Sequence, residues 1–321
     1  MRVLLTGASG FVGRAVLAEI ATNTDLEPVA AIRTKSLADC PDNVSTFCID
    51  GLQPDTDWTD ALSEVSVVIH CAARVHVMSD SEANPLAAFR VVNVEGTLNL
   101  ARQAAAAGVM RFIFISSIKV NGEGTSPGRS YSALDNPAPL DPYGISKLEA
   151  EQGLRTLAAQ TGMEVVIIRP VLVYGPGVKA NFLSMMRWLD KGIPLPFGSI
   201  SNKRSLVALD NLVDLIMTCV AHPKAANQTF LVSDGEDLST TQLLKRMSKA
   251  LGKRANLVPV PSFLLVLAAR LIGKRSLSQR LCDSLQVDIE QTRLLLGWTP
   301  PLSVDDALLK TARHYQENIK K

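Results

Sequence analysis

The first 22 residues constrain the fold more than any other part of the chain. A short apolar run, Arg2–Thr6, precedes glycines at positions 7, 10 and 13, and an amphipathic helical pattern follows. This order of strand, glycine turn and helix is the context in which a glycine fingerprint indicates a dinucleotide site. Gly7 permits the tight turn, Gly10 lets the backbone approach a pyrophosphate, and Gly13 allows the helix to pack closely on the strand.

Apolar runs of strand length alternate with helical stretches beyond this start. Strands are predicted at residues 27–33, 44–49, 65–70, 111–116 and 165–169, and long helices at 86–108 and 143–161. Such alternation implies parallel strands joined by right-handed crossovers, with helices on both faces. We therefore predict an α/β protein with a Rossmann-type doubly wound parallel sheet. A smaller C-terminal substrate-binding lobe is expected where glycine and proline multiply.

The predicted division places the dinucleotide-binding and catalytic residues in 1–174 and most of the substrate lobe in 175–321. The lobe is expected to be interleaved with the last strands of the sheet. A chain of 321 residues is long enough for this arrangement. Lysine and arginine total 33 against 31 acidic residues, so the net charge of +2 gives no reason to expect a nucleic-acid partner. The five scattered cysteines indicate neither zinc nor a disulfide framework.

One apolar segment, residues 258–272, raises the question of a membrane. It contains two prolines and Arg270, and is too short to span a bilayer core of about 30 Å. We predict a buried helix here. The alternative is an interfacial helix, with Arg270, Lys274 and Arg275 at its far end. The N-terminus reaches glycine at residue 7 without a signal-peptide pattern, so a cytoplasmic protein is expected.

Tyr143 and Lys147 lie four residues apart and would share one face of a helix. A free tyrosine keeps its proton until about pH 10. A nearby ammonium favours the phenolate, so we expect Lys147 to lower the pKa of Tyr143. The phenol then serves as a general acid or base. This spacing is also common on exposed helices, and its weight comes from the motifs around it.

The end of the second predicted strand bears on the choice of cofactor. An NAD site carries an acidic residue there for the ribose hydroxyl. This chain has Arg33 and Lys35, with no carboxylate between Ala30 and Leu37. Because a guanidinium can hold a phosphate in a bidentate fork, we expect NADP in preference to NAD. The alternative is that Arg33 is a solvated residue at a strand end.

Together these motifs resemble those of extended short-chain dehydrogenases/reductases, in the group of nucleotide-sugar epimerases, dehydratases and reductases. The resemblance covers nearly the whole chain. It is carried by TGASGFVG at residues 6–13, HCAA at 70–73, VVNVEGT with Asn93, FISSIKVNG, YGISK with Tyr143, and RPVLVYGPG at 169–177.

The resemblance implies roles for three residues. Ser117 positions the substrate oxygen, Tyr143 is the acid/base, and Lys147 modulates the tyrosine and binds the nicotinamide ribose. Ser116 competes with Ser117, since one register error exchanges them. Ser117 is preferred because its distance from Gly122 matches the family pattern.

Further binding residues also follow from the resemblance. The cofactor residues are Gly7, Gly10, Phe11, Val12, Gly13, Arg33, Asp50, Ala72, Ala73, Asn93, Tyr143, Lys147 and Pro170. Besides Ser117, the expected substrate contacts are Asn181 and Arg204, both with the diphosphate of a nucleotide sugar. Asn121 stands where many family members carry tyrosine, so an altered sugar pocket is expected.

The expected reaction is at C4 of a nucleotide-activated hexose. Arg33 favours NADPH-dependent reduction of a UDP-4-keto-6-deoxy-sugar. The alternative is a UDP-hexose or UDP-N-acetylhexosamine 4-epimerase with bound NAD, and a polyprenyl-diphosphate carrier stays open because of the apolar segment before Arg270. A non-catalytic dinucleotide-binding protein is disfavoured because Tyr143 and Lys147 are both present. The resemblance also suggests a homodimer.

Overall fold

A seven-stranded parallel sheet forms the centre of the structure, a computed structural model that describes residues 1–33, 40–75, 84–271 and 281–319. The strands are β1 Arg2–Thr6, β2 Glu27–Ile32, β3 Ser45–Cys48, β4 Val65–His70, β5 Arg111–Ile115, β6 Glu164–Pro170, β7 Leu172–Tyr174, β8 Arg204–Ala208, β9 Thr229–Val232 and β10 Asp237–Leu238. The central sheet has the order β3-β2-β1-β4-β5-β6-β9. Every adjacent pair in it is parallel.

Helices connect these strands and cover both faces of the sheet. They are α1 Phe11–Thr22, α2 Pro85–Arg90, α3 Thr97–Ala106, α4 Pro142–Thr161, α5 Ala180–Asp190, α6 Leu209–Ala221, α7 Thr240–Ala250, α8 Ser262–Leu271, α9 Glu290–Leu296 and α10 Val304–Ile319. A π-helical turn, Val91–Gly96, joins α2 to α3, so the single long helix predicted at 86–108 is divided. The helix predicted at 143–161 is confirmed as α4.

The order of the strands makes this a Rossmann-type doubly wound fold, which confirms the predicted class. The chain starts at β1, winds outwards through β2 and β3, and returns to β4 on the other side of β1. The carboxyl ends of β1 and β4 therefore border the crevice in which such folds bind ligands. Strand β9, from the C-terminal half, completes the sheet beside β6.

Alternating side chains of β1 belong to two different cores. Val3 and Leu5 pack on the face covered by α1 and α6, whereas Leu4 packs on the face covered by α3 and α4. All three side chains are fully buried. This alternation follows from the twofold repeat of a strand, and burying one leucine is worth about 1.5–3 kcal/mol.

A second, three-stranded sheet of β10, β8 and β7 is built from residues that follow β6. It has its own hydrophobic core, in which Tyr174 stacks on Phe182 with ring centroids 5.3 Å apart. Residues of α5, α7 and α10 complete this core. The lobe therefore buries apolar surface independently of the Rossmann sheet.

The prediction of a buried helix at 258–272 was wrong. The described helix, α8, begins after Pro261, and Phe263 and Leu271 are 67% and 80% exposed. The preceding residues are held by the lobe, since Gly198 N donates to the Val258 carbonyl. Among the side chains of α8 that the structure describes, only Leu265 and Val266 are half-buried, and the others are exposed. Ile272, Lys274 and Arg275 lie outside the described residues, and none of the described helices is long and apolar enough to cross a membrane.

Candidate active site

The turn after β1 requires glycine at two positions. Gly7 has a φ of +73°, and a Cβ atom there would lie 2.7 Å from the Ala72 nitrogen. A Cβ atom at Gly13 would lie 2.1 Å from the Gly7 carbonyl oxygen. Gly10 N donates to the same oxygen at 2.9 Å, which closes the turn. These contacts allow the backbone after β1 to approach the loop after β4, leaving a cradle that side chains would fill.

Helix α1 begins at this turn without a side-chain cap. Its N-cap residue is Gly10, and its first turn contains no acidic residue. The first backbone N–H groups of a helix have no intrahelical acceptor and carry partial positive charge. The backbone donors around Phe11 and Val12 therefore suit an anionic group, and a dinucleotide pyrophosphate fits the glycine cradle beside them.

His70 holds the two central strands together instead of serving as an acid or base. Its Nδ1 lies 2.7 Å from Thr6 Oγ1, and its Nε2 lies 3.0 Å from Thr97 Oγ1. Burial, with a smaller contribution from the charge of Lys147, lowers the pKa of His70 to about 3. The imidazole is therefore neutral. Ala72 N donates to Thr6 Oγ1 at 3.3 Å, which fixes the loop that faces Gly7.

Asn93 connects the loop after β4 to helix α4. Its Oδ1 accepts from Arg74 N at 2.8 Å, and its Nδ2 donates to the Arg74 carbonyl and to Ser146 Oγ, each at 3.0 Å. The side chain is buried in the π-helical turn. The structure thus shows a positioning contact, and the predicted contact of Asn93 with a cofactor stays a prediction.

The other predicted cofactor residues lie at the carboxyl ends of strands. Arg33 is exposed directly after β2, and it makes no ion pair with the described part of the chain. Lys35 lies outside that part. Asp50 is exposed after β3, Ala73 is half-buried after β4, and Pro170 ends β6.

Helix α4 places Tyr143 and Lys147 on one face. Asp141 caps the helix by accepting from Gly144 N at 2.7 Å, and Pro142 starts its first turn. Lys147 Nζ donates to the Ile115 carbonyl at 2.8 Å, at the end of β5.

The electrostatic effect predicted for this pair is not the one found. Burial lowers the pKa of Lys147 to about 8. Burial and, secondly, the charge of Asp141 raise the pKa of Tyr143, so the prediction of a lowered tyrosine pKa was wrong for the ligand-free protein. Lys147 Nζ lies 4.3 Å from the centroid of the Phe114 ring but 6.0 Å from that of the Tyr143 ring. The ammonium of Lys147 therefore interacts mainly with residues of β5, Ile115 and Phe114.

The two neighbouring serines have different surroundings. Ser116 is buried, and its Oγ donates to Glu151 Oε1 at 2.5 Å. Ser117 is half-buried, and its Oγ accepts from Lys119 N at 3.3 Å. Within the described residues the hydroxyl hydrogen of Ser117 has no acceptor, so it is available to a ligand.

A buried ionic network behind the serines was missed from the sequence. Arg169 donates to both carboxylate oxygens of Glu151, with Nε–Oε1 2.9 Å and Nη2–Oε2 2.5 Å. Its Nη1 donates to Asn121 Oδ1 at 2.9 Å, and Asn121 Nδ2 donates to the Ser132 carbonyl. The spacing of Glu151, one turn beyond Lys147, places it on the same face of α4 but does not identify Arg169 as its partner. Asn121 contributes to this interior network, and the expectation of an altered sugar pocket stays a prediction.

The two predicted substrate residues of the lobe both lie in the described part of the chain. Asn181 is exposed in the first turn of α5, and Arg204 begins β8, where its Nη1 donates to the Asp283 carbonyl at 3.0 Å. Their contacts with a diphosphate stay predictions. In the described ranges, no group of three or more His, Cys, Asp or Glu side chains could hold a metal ion.

Known proteins resemble this chain in sequence and in structure. The model of the NAD dependent epimerase/dehydratase family matches residues 3–233. A UDP-glucose 4-epimerase of Vibrio cholerae is 51% identical over 98% of this chain and 95% of its own length. An N-acetyl-α-D-glucosaminyl-diphospho-ditrans,octacis-undecaprenol 4-epimerase of Escherichia coli O157:H7 is 23% identical over 99% of this chain and 96% of its own. The solved structure of MoeE5 with UDP-glucuronic acid and NAD is 26% identical, covers 99% of this chain and 100% of its own, and has a TM-score of 0.77.

Proposed function

The chain belongs to the NAD dependent epimerase/dehydratase family, and we propose that it is a UDP-hexose 4-epimerase that keeps NAD bound through its reaction. It is an enzyme of the extended short-chain dehydrogenase/reductase type. The observation that carries the proposal is the identity of half of its residues, over nearly its whole length, with the Vibrio cholerae UDP-glucose 4-epimerase. We further propose that residues 1–174 bind the cofactor and that most of 175–321 forms the substrate-binding lobe.

The proposed chemistry uses Tyr143 and Lys147, which share one face of α4, and Ser117, which follows β5. Epimerisation at C4 removes a proton from the C4 hydroxyl and a hydride from the carbon, and then returns both with the opposite configuration. We assign the proton to Tyr143 Oη and the orientation of the sugar oxygen to the free hydroxyl hydrogen of Ser117. NAD, when bound, supplies the hydride acceptor and donor.

Lys147 is proposed to support the tyrosine without exchanging protons with the sugar. Its position, bonded to the Ile115 carbonyl, supports a second interaction with a ribose at the mouth of the crevice. The burial that lowers the Lys147 pKa to about 8 leaves most of the ammonium charged at neutral pH. A cation at this position favours the phenolate and so counteracts the increase that burial causes in the pKa of Tyr143.

NAD, and not NADP, is the proposed cofactor. The family is named for NAD, and the MoeE5 complex contains NAD. The preference for NADP that we predicted from Arg33 has no counterpart in either. The glycine cradle of Gly7 and Gly13 fits the pyrophosphate of both dinucleotides, so it does not distinguish them.

A second candidate is an NADPH-dependent 4-reductase of a UDP-4-keto-6-deoxy-sugar. One observation favours it: Arg33 is exposed directly after β2 without an ion pair in the described ranges. A guanidinium in that place could hold a 2′-phosphate. The carrier of the sugar is also a proposal. UDP is the first choice, and a polyprenyl diphosphate is the second because the Escherichia coli O157:H7 relative is named for such a substrate.

The test is to incubate the purified enzyme with UDP-glucose and no added cofactor, and to follow UDP-galactose by proton NMR. We expect interconversion of the two sugars, with UDP-N-acetylglucosamine as a parallel substrate. A parallel reaction with a UDP-4-keto-6-deoxy-sugar and NADPH measures reduction. Oxidation of NADPH in that reaction, without any epimerisation, would replace the epimerase by the reductase. Tyr143→Phe is the negative control for both.

A further inference from the structure

Helix α8 presents an apolar face to solvent. Phe263, Leu267 and Leu271 lie at successive four-residue intervals, so they form one stripe along the helix. The exposed fraction of Leu267 is 52%, and Leu264 beside the stripe is 43% exposed. Contiguous exposed apolar side chains are uncommon on soluble surfaces and mark sites of interaction.

The sequence around α8 carries an excess of basic over acidic residues. Residues 238–282 contain no aspartate or glutamate, although the whole chain has nearly equal numbers of acidic and basic residues. The basic residues of this segment are Lys245, Arg246, Lys249, Lys253, Arg254, Arg270, Lys274, Arg275 and Arg280. The last three lie outside the described residues. Lys245, Lys249, Arg254 and Arg270 are exposed, whereas Arg246 and Lys253 pair with Glu236 and Asp190.

We propose that α8 docks in the interface of an anionic membrane, lying in the plane of the bilayer. A helix of ten residues is about 15 Å long, half the thickness of the hydrocarbon core, so it cannot span it. Its apolar stripe enters the boundary of the acyl chains, and Arg270 meets the anionic headgroups. Charge decides the occupant, because the exposed basic side chains Lys245, Lys249, Arg254 and Arg270 outnumber the carboxylate of Asp283, which lines the same cavity as Phe263 and Arg270.

Arg270 adds charge to the docking face itself. It lies three residues after Leu267 and one before Leu271, on the same side of the helix as the apolar stripe. Long basic side chains at the edge of an interfacial helix reach the headgroups while their stems stay in contact with apolar groups. The face thus combines insertion and electrostatic attraction, and this docking is independent of the proposed reaction.

The proposal is tested by co-sedimentation with vesicles of phosphatidylcholine alone or with added phosphatidylglycerol. We expect binding to the anionic vesicles, weaker binding to the neutral ones, and release by salt. The double variant Phe263→Ser, Leu267→Ser is expected to lower the affinity at least about tenfold, since two apolar side chains no longer insert. Arg270→Gln is expected to lower it about fivefold. Leu294→Ser, which alters an equally exposed leucine on α9, is the matched control and keeps full binding.

Activity and oligomeric state separate the outcomes. Both α8 variants should retain wild-type activity on water-soluble UDP-glucose. A loss of vesicle binding alone therefore gives no evidence against the proposed function. Absence of binding to anionic vesicles, or equal loss in the Leu294→Ser control, would overturn the membrane proposal. A wild-type dimer that the double variant converts to a monomer, without vesicle binding, would assign the face to a second copy of the chain. Vesicle binding without epimerase activity would remove only the proposed function.

Discussion

Lys147 Nζ lies 2.8 Å from the Ile115 carbonyl oxygen, and this bond ties the helix that carries Tyr143 to the end of β5. Ser116 and Ser117 follow Ile115 directly. This bond helps to fix the helix relative to the serine loop, together with the hydrogen bond from Ser116 Oγ to Glu151 on the same helix. The proposed catalytic residues belong to different elements, and contacts in the core hold those elements in place.

The two serines give the first prediction. Ser117→Ala should lower kcat for epimerisation by about 10- to 100-fold, because a hydrogen bond to a charged or partly charged group is worth about 1.5–3 kcal/mol. Ser116→Ala should instead lower the free energy of unfolding by about 1–3 kcal/mol, since it leaves a buried oxygen of Glu151 with one partner fewer. The measurements are NMR kinetics and urea unfolding. If Ser116→Ala abolishes activity and Ser117→Ala does not, the two serines have been interchanged.

The second prediction concerns the ionisation of Tyr143. All four tyrosines have pKa values raised by burial, so phenolate should appear in the ligand-free protein only above the ordinary value of about 10. With NAD bound we expect one phenol to ionise at lower pH, because added positive charge favours the phenolate. Absorbance titration of the wild type and Tyr143→Phe identifies it. Ionisation of Tyr143 well below pH 10 without ligand would show that burial does not control this group.

The third prediction concerns the buried pair of Glu151 and Arg169. Arg169→Met leaves a carboxylate buried without its partner, so it should lower the free energy of unfolding by about 3–5 kcal/mol. The matched control is Arg90→Met, which breaks the more exposed pair with Glu149 and should lower the free energy of unfolding far less. Urea unfolding measures both. Equal losses would mean that burial does not distinguish the two pairs.

The fourth prediction concerns Arg33. If NAD is the cofactor, Arg33→Ala should leave NAD affinity within about twofold of wild type, because the exposed side chain then binds no phosphate. If the enzyme is instead a reductase, the same variant should weaken NADPH by about 10- to 100-fold, the worth of a hydrogen bond to a charged group. Titration calorimetry with both dinucleotides decides. A large loss of NAD affinity would contradict both roles of Arg33.

Local features of the site were predictable from the sequence, whereas contacts between distant elements were not. The glycines at 7 and 13 follow from a strand that runs directly into a helix, and the structure shows the close contacts that require them. Tyr143 and Lys147 needed only the helical repeat. In contrast, the Glu151–Arg169 pair joins a helix to a strand, and no local pattern indicates that pairing.

The exposed helix α8 illustrates a second limit of sequence reasoning. Its composition indicates hydrophobicity, which is equally typical of a core helix and of an interfacial one. Which of the two occurs depends on whether another element covers the helix. Among its described side chains, only those of residues 265 and 266 are half-buried. The raised pKa of Tyr143 is a similar case, because the spacing predicts proximity to Lys147 but not the burial of the phenol, which is the main cause of the raised pKa.

The proposed reaction is tested most directly by the fate of the hydrogen at C4. UDP-glucose carrying deuterium at C4 is incubated with the enzyme and unlabelled NADH, and the product is analysed by mass spectrometry and NMR. An epimerase with tightly bound NAD returns the same hydride, so we predict UDP-galactose that retains the deuterium at C4 and no net consumption of cofactor. Absence of UDP-galactose, together with transfer of hydride from bulk NADPH into a 4-keto sugar, would contradict the epimerase and assign the enzyme as a reductase.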